Sequence, residues 1–314
     1  MKTKNEVGIV DNKRTILKKA FKRDYFLYML LILPAIYFLV FKYIPMYGII
    51  LAFRKFVQGQ SAFGVEWVGF RYFKLFLTDK TFWNIFKNTV LLSLMNLVIG
   101  FPLPIIFALL LNEIHNNAFK KVVQTVSYLP KFLSTVIVVA MINILLSPST
   151  GIINDIIAKF GNKPIFFLNE IEWFRTIYIS SDIWQFMGWN AILYIASLAS
   201  VDTQLYEAAV VDGANKWKQM IHVTIPGIMP TIVITFILAV GYMLSAGFEK
   251  ILLLYTPSTY QVADVIQTFV YRVGLVGNNF SYATAIGLFQ ALISLTLLWT
   301  TNHFASKYTD YSLW

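Results

Sequence analysis

EAAVVDGANKWKQMIHVTIP, Glu207 to Pro226, lies between two apolar runs that are each long enough to cross a bilayer. It is too short and too polar to cross one itself. Its pattern predicts two consecutive short helices with a break between them. Asp202 stands as an N-cap, Leu205, Ala208 and Ala209 recur at helical spacing, and Gly213 falls where a helix commonly ends on a left-handed residue. Asn215 is placed to cap the second helix, and Pro226 to stand near the start of the next span. The alanine pair offers a face that another backbone can approach closely. Glu207, Asp212, Lys216 and Lys218 keep the remaining surface compatible with water.

Outward from this stretch the chain reads as membrane. Of its 314 residues 57% are hydrophobic and only 13% charged, against about 25% charged in an average soluble domain. Hydropathy therefore predicts one polytopic, all-α integral membrane domain. There is no cysteine, which removes disulfides, thiolate metal sites and thiol nucleophiles. The net charge of +10 raises the question of nucleic acid, but its distribution points to a membrane surface. Eight bases (Lys2, Lys4, Lys13, Arg14, Lys18, Lys19, Lys22, Arg23) precede the first apolar run, as cytoplasmic flanks do.

Six spans are expected, at about 25–47, 89–111, 122–146, 177–201, 225–248 and 280–301. Residues 1–24 form a basic cytoplasmic or interfacial arm, 25–304 the membrane domain with the polar loop at 202–224, and 305–314 a short cytoplasmic tail. The first span is expected to bend at Pro34 or Pro45, and the second at Pro102 and Pro104. Six crossings put both termini and the polar loop on one side, which the basic arm assigns to the cytoplasm. Residues 48–87 read as an external, interfacial segment rich in aromatic side chains.

Catalytic chemistry is not legible. No G-x-x-x-x-G-K-[ST] loop is present to bind nucleotide, no G-x-S-x-G nucleophile elbow occurs, and His115, His222 and His303 have no metal-ligand partner at helical spacing. The intramembrane ionisable groups are few: Lys131, Asp182 and Glu249. Asp182 follows Ser180 and Ser181 and reads as part of an N-cap, whereas Lys131 and Glu249 read as reaching water at outer span ends. Span four combines Trp184, Gln185, Trp189, Asn190 and Tyr194, rings and amides that suit the C–H faces and hydroxyls of a sugar. Tyr242 in span five and Gln290 in span six are candidates for the same path. An interfacial aromatic belt with amide bonds between helices is the competing reading of these residues.

Glu207-Ala208-Ala209, Asp212-Gly213-Ala214 and Thr224-Ile225-Pro226 resemble the EAA loop of ATP-driven uptake permeases, with Met220 where Phe is frequent and Ile225 where Leu is usual. The resemblance extends to Gly48, Ala52-Phe53, Trp67-Val68-Gly69 and Asn88-Thr89 in the external segment. It also covers WQFMGWNAILY (Trp184 to Tyr194), Gly247-Phe248-Glu249 and DVIQTFVY (Asp264 to Tyr271). The chain is thereby similar to carbohydrate permeases of the ATP-binding-cassette (ABC) importers, in the branch that imports oligosaccharides from complex polysaccharides. That resemblance implies a type I permease fold with six transmembrane helices and a cytoplasmic coupling helix, in a bacterial inner membrane. It assigns ATPase coupling to Glu207, Ala208, Ala209, Asp212, Gly213, Ala214 and Pro226. It further implies a second related permease, two cytoplasmic ATPase subunits carrying ATP and Mg2+, and an external solute-binding protein, with no cofactor on this chain. An ion-coupled secondary transporter, which should show inverted repeats and paired intramembrane charges, and a membrane enzyme acting on lipid-linked sugars are the alternatives.

Overall fold

The computed structural model describes residues 4–245 and 247–314, with side chains from Lys18 onward. Lys2 lies outside the described residues, and for Lys4, Lys13 and Arg14 only a helical backbone is described. Four helices are long and apolar enough to cross a membrane: α1 (Lys18–Phe53), then Lys80–Asn112, Lys216–Gly241 and Phe280–Tyr308. The expected third span is instead two helices, Asn117–Phe132 and Thr135–Leu145, bent by 100° at their junction. Pro130 lies in the 3-10 turn Leu129–Phe132 that precedes the bend. A proline lacks the N–H that an α-helix interior needs, and the chain changes direction there.

In chain order, α1 is followed by a ribbon of β1 (Arg54–Lys55) paired antiparallel with β2 (Glu66–Trp67), a small exception to the all-α expectation. Then come α2 (Arg71–Thr78), α3 (Lys80–Asn112), α4 (Asn117–Phe132), α5 (Thr135–Leu145), α6 (Ile152–Lys159) and α7 (Ile171–Leu198). The polar loop forms α8 (Thr203–Val211), and α9 (Lys216–Gly241) crosses back. Short helices α10 (Phe248–Leu254), α11 (Tyr260–Ala263) and α12 (Ile266–Val276) lead into α13 (Phe280–Tyr308).

Several expected boundaries move. The first span runs to Phe53 and the second begins at Lys80, so the external segment shrinks to 54–79. The fifth span ends at Gly241, and Phe248 belongs to the separate helix α10 rather than to the span. The sixth runs on to Tyr308. Hydropathy cannot place the start of the second span or the end of the sixth, because polar residues at a helix terminus extend the hydrogen-bonded ladder without adding apolar length.

Three of the prolines inside the spans are absorbed in one recurring way. Pi-helical turns occupy Leu39–Tyr43, Asn96–Gly100 and Met220–Thr224, and in each case a proline follows two residues after the turn: Pro45, Pro102 and Pro226. A widened turn relieves the clash between the proline ring and the carbonyl four residues earlier, so the helix continues. Non-helical backbone in α1 falls at Asp24 (φ −105°, ψ 15°), and not at Pro34.

The helix α7 is the hub. Phe174, Tyr178, Ser181, Gln185, Gly188, Ala191, Tyr194 and Leu198 are buried along it at a spacing of three or four, a stripe that faces the bundle. It is not among the helices apolar enough to cross by composition, since its polar groups are spent on other helices rather than on lipid. A Cβ at Gly188 would stand 2.2 Å from the Ser127 carbonyl oxygen, so glycine is what lets α4 cross α7 in contact. Ala108, Leu109, Ala191, Tyr194, Leu198 and Ile228 close one core among α3, α7 and α9. A second core joins α3, α5, α7 and α10 through Leu92, Val139, Tyr178 and Ile251. At the far end of α3, Asn88 Nδ2 donates to the Gln261 carbonyl at 2.8 Å, and Thr89 Oγ1 accepts from the Ile266 N–H at 2.9 Å. The apolar window of α1, by contrast, buries nothing against the rest of the chain.

Candidate functional site

Two regions gather the residues singled out above. The first is the polar loop. Asp202 caps α8 by accepting from the Gln204 N–H at 2.9 Å. The helix ends in a Schellman turn: Gly213 takes φ +72°, its N–H donates to the Val210 carbonyl, and the Ala214 N–H donates to the Ala209 carbonyl at 2.8 Å. Asn215 Oδ1 then accepts from the Lys218 N–H at 2.9 Å. The helix it caps is no separate short element, however; it runs through the pi turn into α9. Pro226 therefore lies ten residues inside α9 rather than at its start.

The two helices are tied by the Tyr206 hydroxyl donating to Thr224 Oγ1 at 3.0 Å. A cavity of about 560 Å³ opens between them and the end of α3, lined by Glu113, His115, Glu207, Val210, Lys216 and Met220. Lys216 and Glu113 approach to 3.9 Å, both well exposed, so this pair adds little stability. Leu205, Val210, Val211 and Trp217 all stand exposed around the same turn, Val211 at 87%. Ala209 and Ala214 are half-buried; Glu207, Ala208 and Asp212 are exposed.

The second region is the middle of α7, where the path candidates divide into three settings. Gln185 is buried and donates from Nε2 to the Leu133 carbonyl at 3.1 Å, bracing the broken α4 and α5 junction. Tyr194 is buried and bonds Thr235 of α9 at 2.8 Å. Trp184 and Trp189 are exposed, the latter edge-on to Phe132 with ring centroids 5.8 Å apart. Asn190 and Tyr242 come together on a cavity of about 380 Å³ with Ser93, Asn96, Asp182 and Phe186. Tyr242 also borders a neighbouring cavity of about 510 Å³, whose wall includes Gln290. Gln290 is itself buried and donates to the Leu244 carbonyl at 2.6 Å.

Asp182 is not an N-cap: α7 begins at Ile171, and the carboxylate is held inside the bundle. Lys250 Nζ stands 3.0 Å from Oδ1, and Asn96 Nδ2 donates to Oδ2 at 3.0 Å. Sequence reasoning missed both partners, because Asn96 lies in an uncharged run and Lys250 just past the apolar run that ends at Phe248. Glu249 is exposed and accepts from Thr135 Oγ1 at 2.9 Å. Lys131 is half-buried at the break between α4 and α5, with its ammonium 4.3 Å from the Phe186 ring centroid. Among the described residues no group of three His, Asp or Glu is placed to hold a metal ion.

Residues 100–310 match the family described as binding-protein-dependent transport system inner membrane component. The chain is 43% identical over 300 residues to the polygalacturonan/rhamnogalacturonan transport system permease protein YteP of Bacillus subtilis (strain 168), covering 96% of this chain and 93% of that protein. It is 40% identical to the protein LplB of the same organism, covering 94% and 92%. Among solved structures it resembles a chain of a bacterial alginate ABC transporter in complex with alginate pentasaccharide-bound periplasmic protein, with TM-score 0.87 and 41% identity, covering 94% of this chain and 99% of that one. A chain of a bacterial ABC transporter involved in the import of the acidic polysaccharide alginate gives TM-score 0.86 at 42% identity, covering 93% and 99%.

Proposed function

This chain belongs to the binding-protein-dependent transport system inner membrane components, and on that premise we propose how it works. It is a permease subunit of an ABC carbohydrate importer that takes up oligosaccharides handed over by an external binding protein; it is not an enzyme. The observation that carries the substrate reading is the likeness over 94% of the chain to a permease solved with a pentasaccharide-loaded periplasmic protein. Uptake of sugars from complex polysaccharides comes to this chain from that neighbour and from its polygalacturonan-transporting relative.

In this proposal the chain crosses the inner membrane six times, by α1, α3, the bent α4 and α5 pair, α7, α9 and α13, with both termini cytoplasmic. The basic arm 1–24 lies at the inner surface, residues 25–304 form the permease domain, and 305–314 form the tail. Lipid and a second, related permease cover the bare apolar length of α1. Of the two ATPase subunits, which hold the ATP and Mg2+, one docks on α8, where exposed Leu205, Val210, Val211 and Trp217 surround the alanine pair and Gly213. A cysteine placed at 216 in whole cells should then resist an impermeant thiol reagent until the membrane is opened; labelling from outside would reverse the orientation.

The sugar passes the α7 cavity, using Asn190 for hydroxyls and the rings of Phe186 and Tyr242 for C–H faces. Trp184, Trp189 and Gln290 flank this route, while Gln185 and Tyr194 hold its walls in place through the bonds given above. The test is a complete complex reconstituted with its partner permease, ATPases and binding protein. Asn190→Ala and Tyr242→Ala should each lower sugar-stimulated ATP hydrolysis roughly tenfold, about the worth of one or two lost hydrogen bonds or ring contacts, and spare the basal rate. An intact complex that takes up no oligosaccharide at all would overturn the function. Unchanged stimulation in both variants would move the path elsewhere.

A further inference from the structure

Two ammonium groups stand against one ring in the wall of the α7 cavity. Phe186 lines that cavity, with Lys131 Nζ 4.3 Å and Lys250 Nζ 5.2 Å from its centroid. The two cations are not equivalent. Lys250 is neutralised by Asp182, whose other oxygen is taken by Asn96, so both carboxylate oxygens are occupied and the pair carries no net charge. Lys131 makes no ion pair and no side-chain hydrogen bond among the described residues. The nearby acid Glu249 is exposed and engaged with Thr135 at the start of α5. One uncompensated positive charge thus stands against a ring of the cavity wall.

That charge is costly where it stands. Within a membrane-spanning segment a lysine is expensive to keep, and such residues mark ion or substrate pathways. A ring face offsets only part of the cost, about 0.5–2 kcal/mol. Lys131 is placed at the break of a bent span, with its ammonium over the ring of Phe186, which lines the cavity.

We propose that Lys131 is a specificity-determining residue that selects oligosaccharides bearing carboxylates, its ammonium meeting one uronate group as the sugar ring crosses Phe186. Asp182, which would otherwise repel an acidic sugar from the same cavity, is silenced by Lys250 and Asn96. The inference rests on the transport reading given above and adds the residue that reads the charge of the sugar.

The experiment uses the reconstituted complex and trimers of galacturonate and of the alginate uronates, each as the free acid and as its methyl ester. The binding protein imposes its own preference, but equally on every permease variant, so a change in the acid-to-ester uptake ratio between variants reports on the permease. Lys131→Gln should lower that ratio about tenfold, the worth of one charge-assisted hydrogen bond, while Lys131→Arg keeps it within about twofold. Lys131→Met serves as the neutral variant if Lys131→Gln fails to co-purify with its partners. A ratio unmoved in the neutral variant, or moved equally by Lys131→Arg, overturns the proposal and leaves sugar transport standing. Wild-type complex that imports neither acids nor esters overturns the transport reading itself.

Discussion

Gly213→Val is expected to leave the chain inserted and paired with its permease partner, to weaken ATPase co-purification, and to lower sugar uptake at least about tenfold. The cause is local backbone geometry. Gly213 holds φ +72°, and a Cβ there would meet nothing within 4 Å, so the substitution creates no clash and acts only on the dihedral. A β-branched residue in the left-handed region costs about 1–2 kcal/mol, enough to open the turn made by the Gly213 and Ala214 N–H groups. Opening it redirects α8 relative to α9 and moves the exposed Leu205, Val210 and Val211 surface that the ATPase would meet. A signal passes between subunits only if the contact differs between two states, so a misdirected helix uncouples hydrolysis from transport. Gly213→Asn should retain most uptake, because asparagine tolerates this conformation. Glu207→Arg, which adds a base beside Lys216 on the cavity wall, should resemble Gly213→Val. Normal co-purification together with normal uptake in Gly213→Val and in Glu207→Arg would reduce this turn to a surface loop.

The largest effect on stability is expected from Lys250→Met. Lys250 is 4% exposed and bound to Asp182, so its loss leaves a carboxylate inside the bundle with only Asn96 to satisfy it. Removing one member of a buried pair typically costs about 3–5 kcal/mol, and the partial exposure of Asp182 places this case near 3. Replacing both charges, as Asp182→Asn with Lys250→Met, should recover at least half of the loss, since no uncompensated charge then remains. The Tm of the purified complex reads this directly. A double variant as unstable as the sum of its singles would mean that the two groups do not interact.

Both experiments act on features that differ in how far they can be read along the chain. The caps of α8 and α9 were legible because Asp202, Gly213 and Asn215 act on backbone groups at most five residues away. The sugar-path candidates were legible only as a set. Residue type alone cannot separate Gln185, whose Nε2 donates to the Leu133 carbonyl, from Asn190, which faces a cavity, since both are amides on one helix.

By itself the sequence determined that this is a helical membrane protein, where its polar turn lies, how that turn is capped, and which family motif it carries. Each of these follows from short-range periodicity, from proline and glycine dihedral limits, and from the cost of apolar surface in water. Only the tertiary structure decided that span three breaks through 100°, that Pro226 lies within a continuous helix, and that Asp182 is the partner of Lys250. The pairing joins residues 68 positions apart, and Gln185 reaches across 52 to brace the break. Contacts over such separations depend on how helices cross, and Gly188 sets one of those crossings by the carbon it lacks.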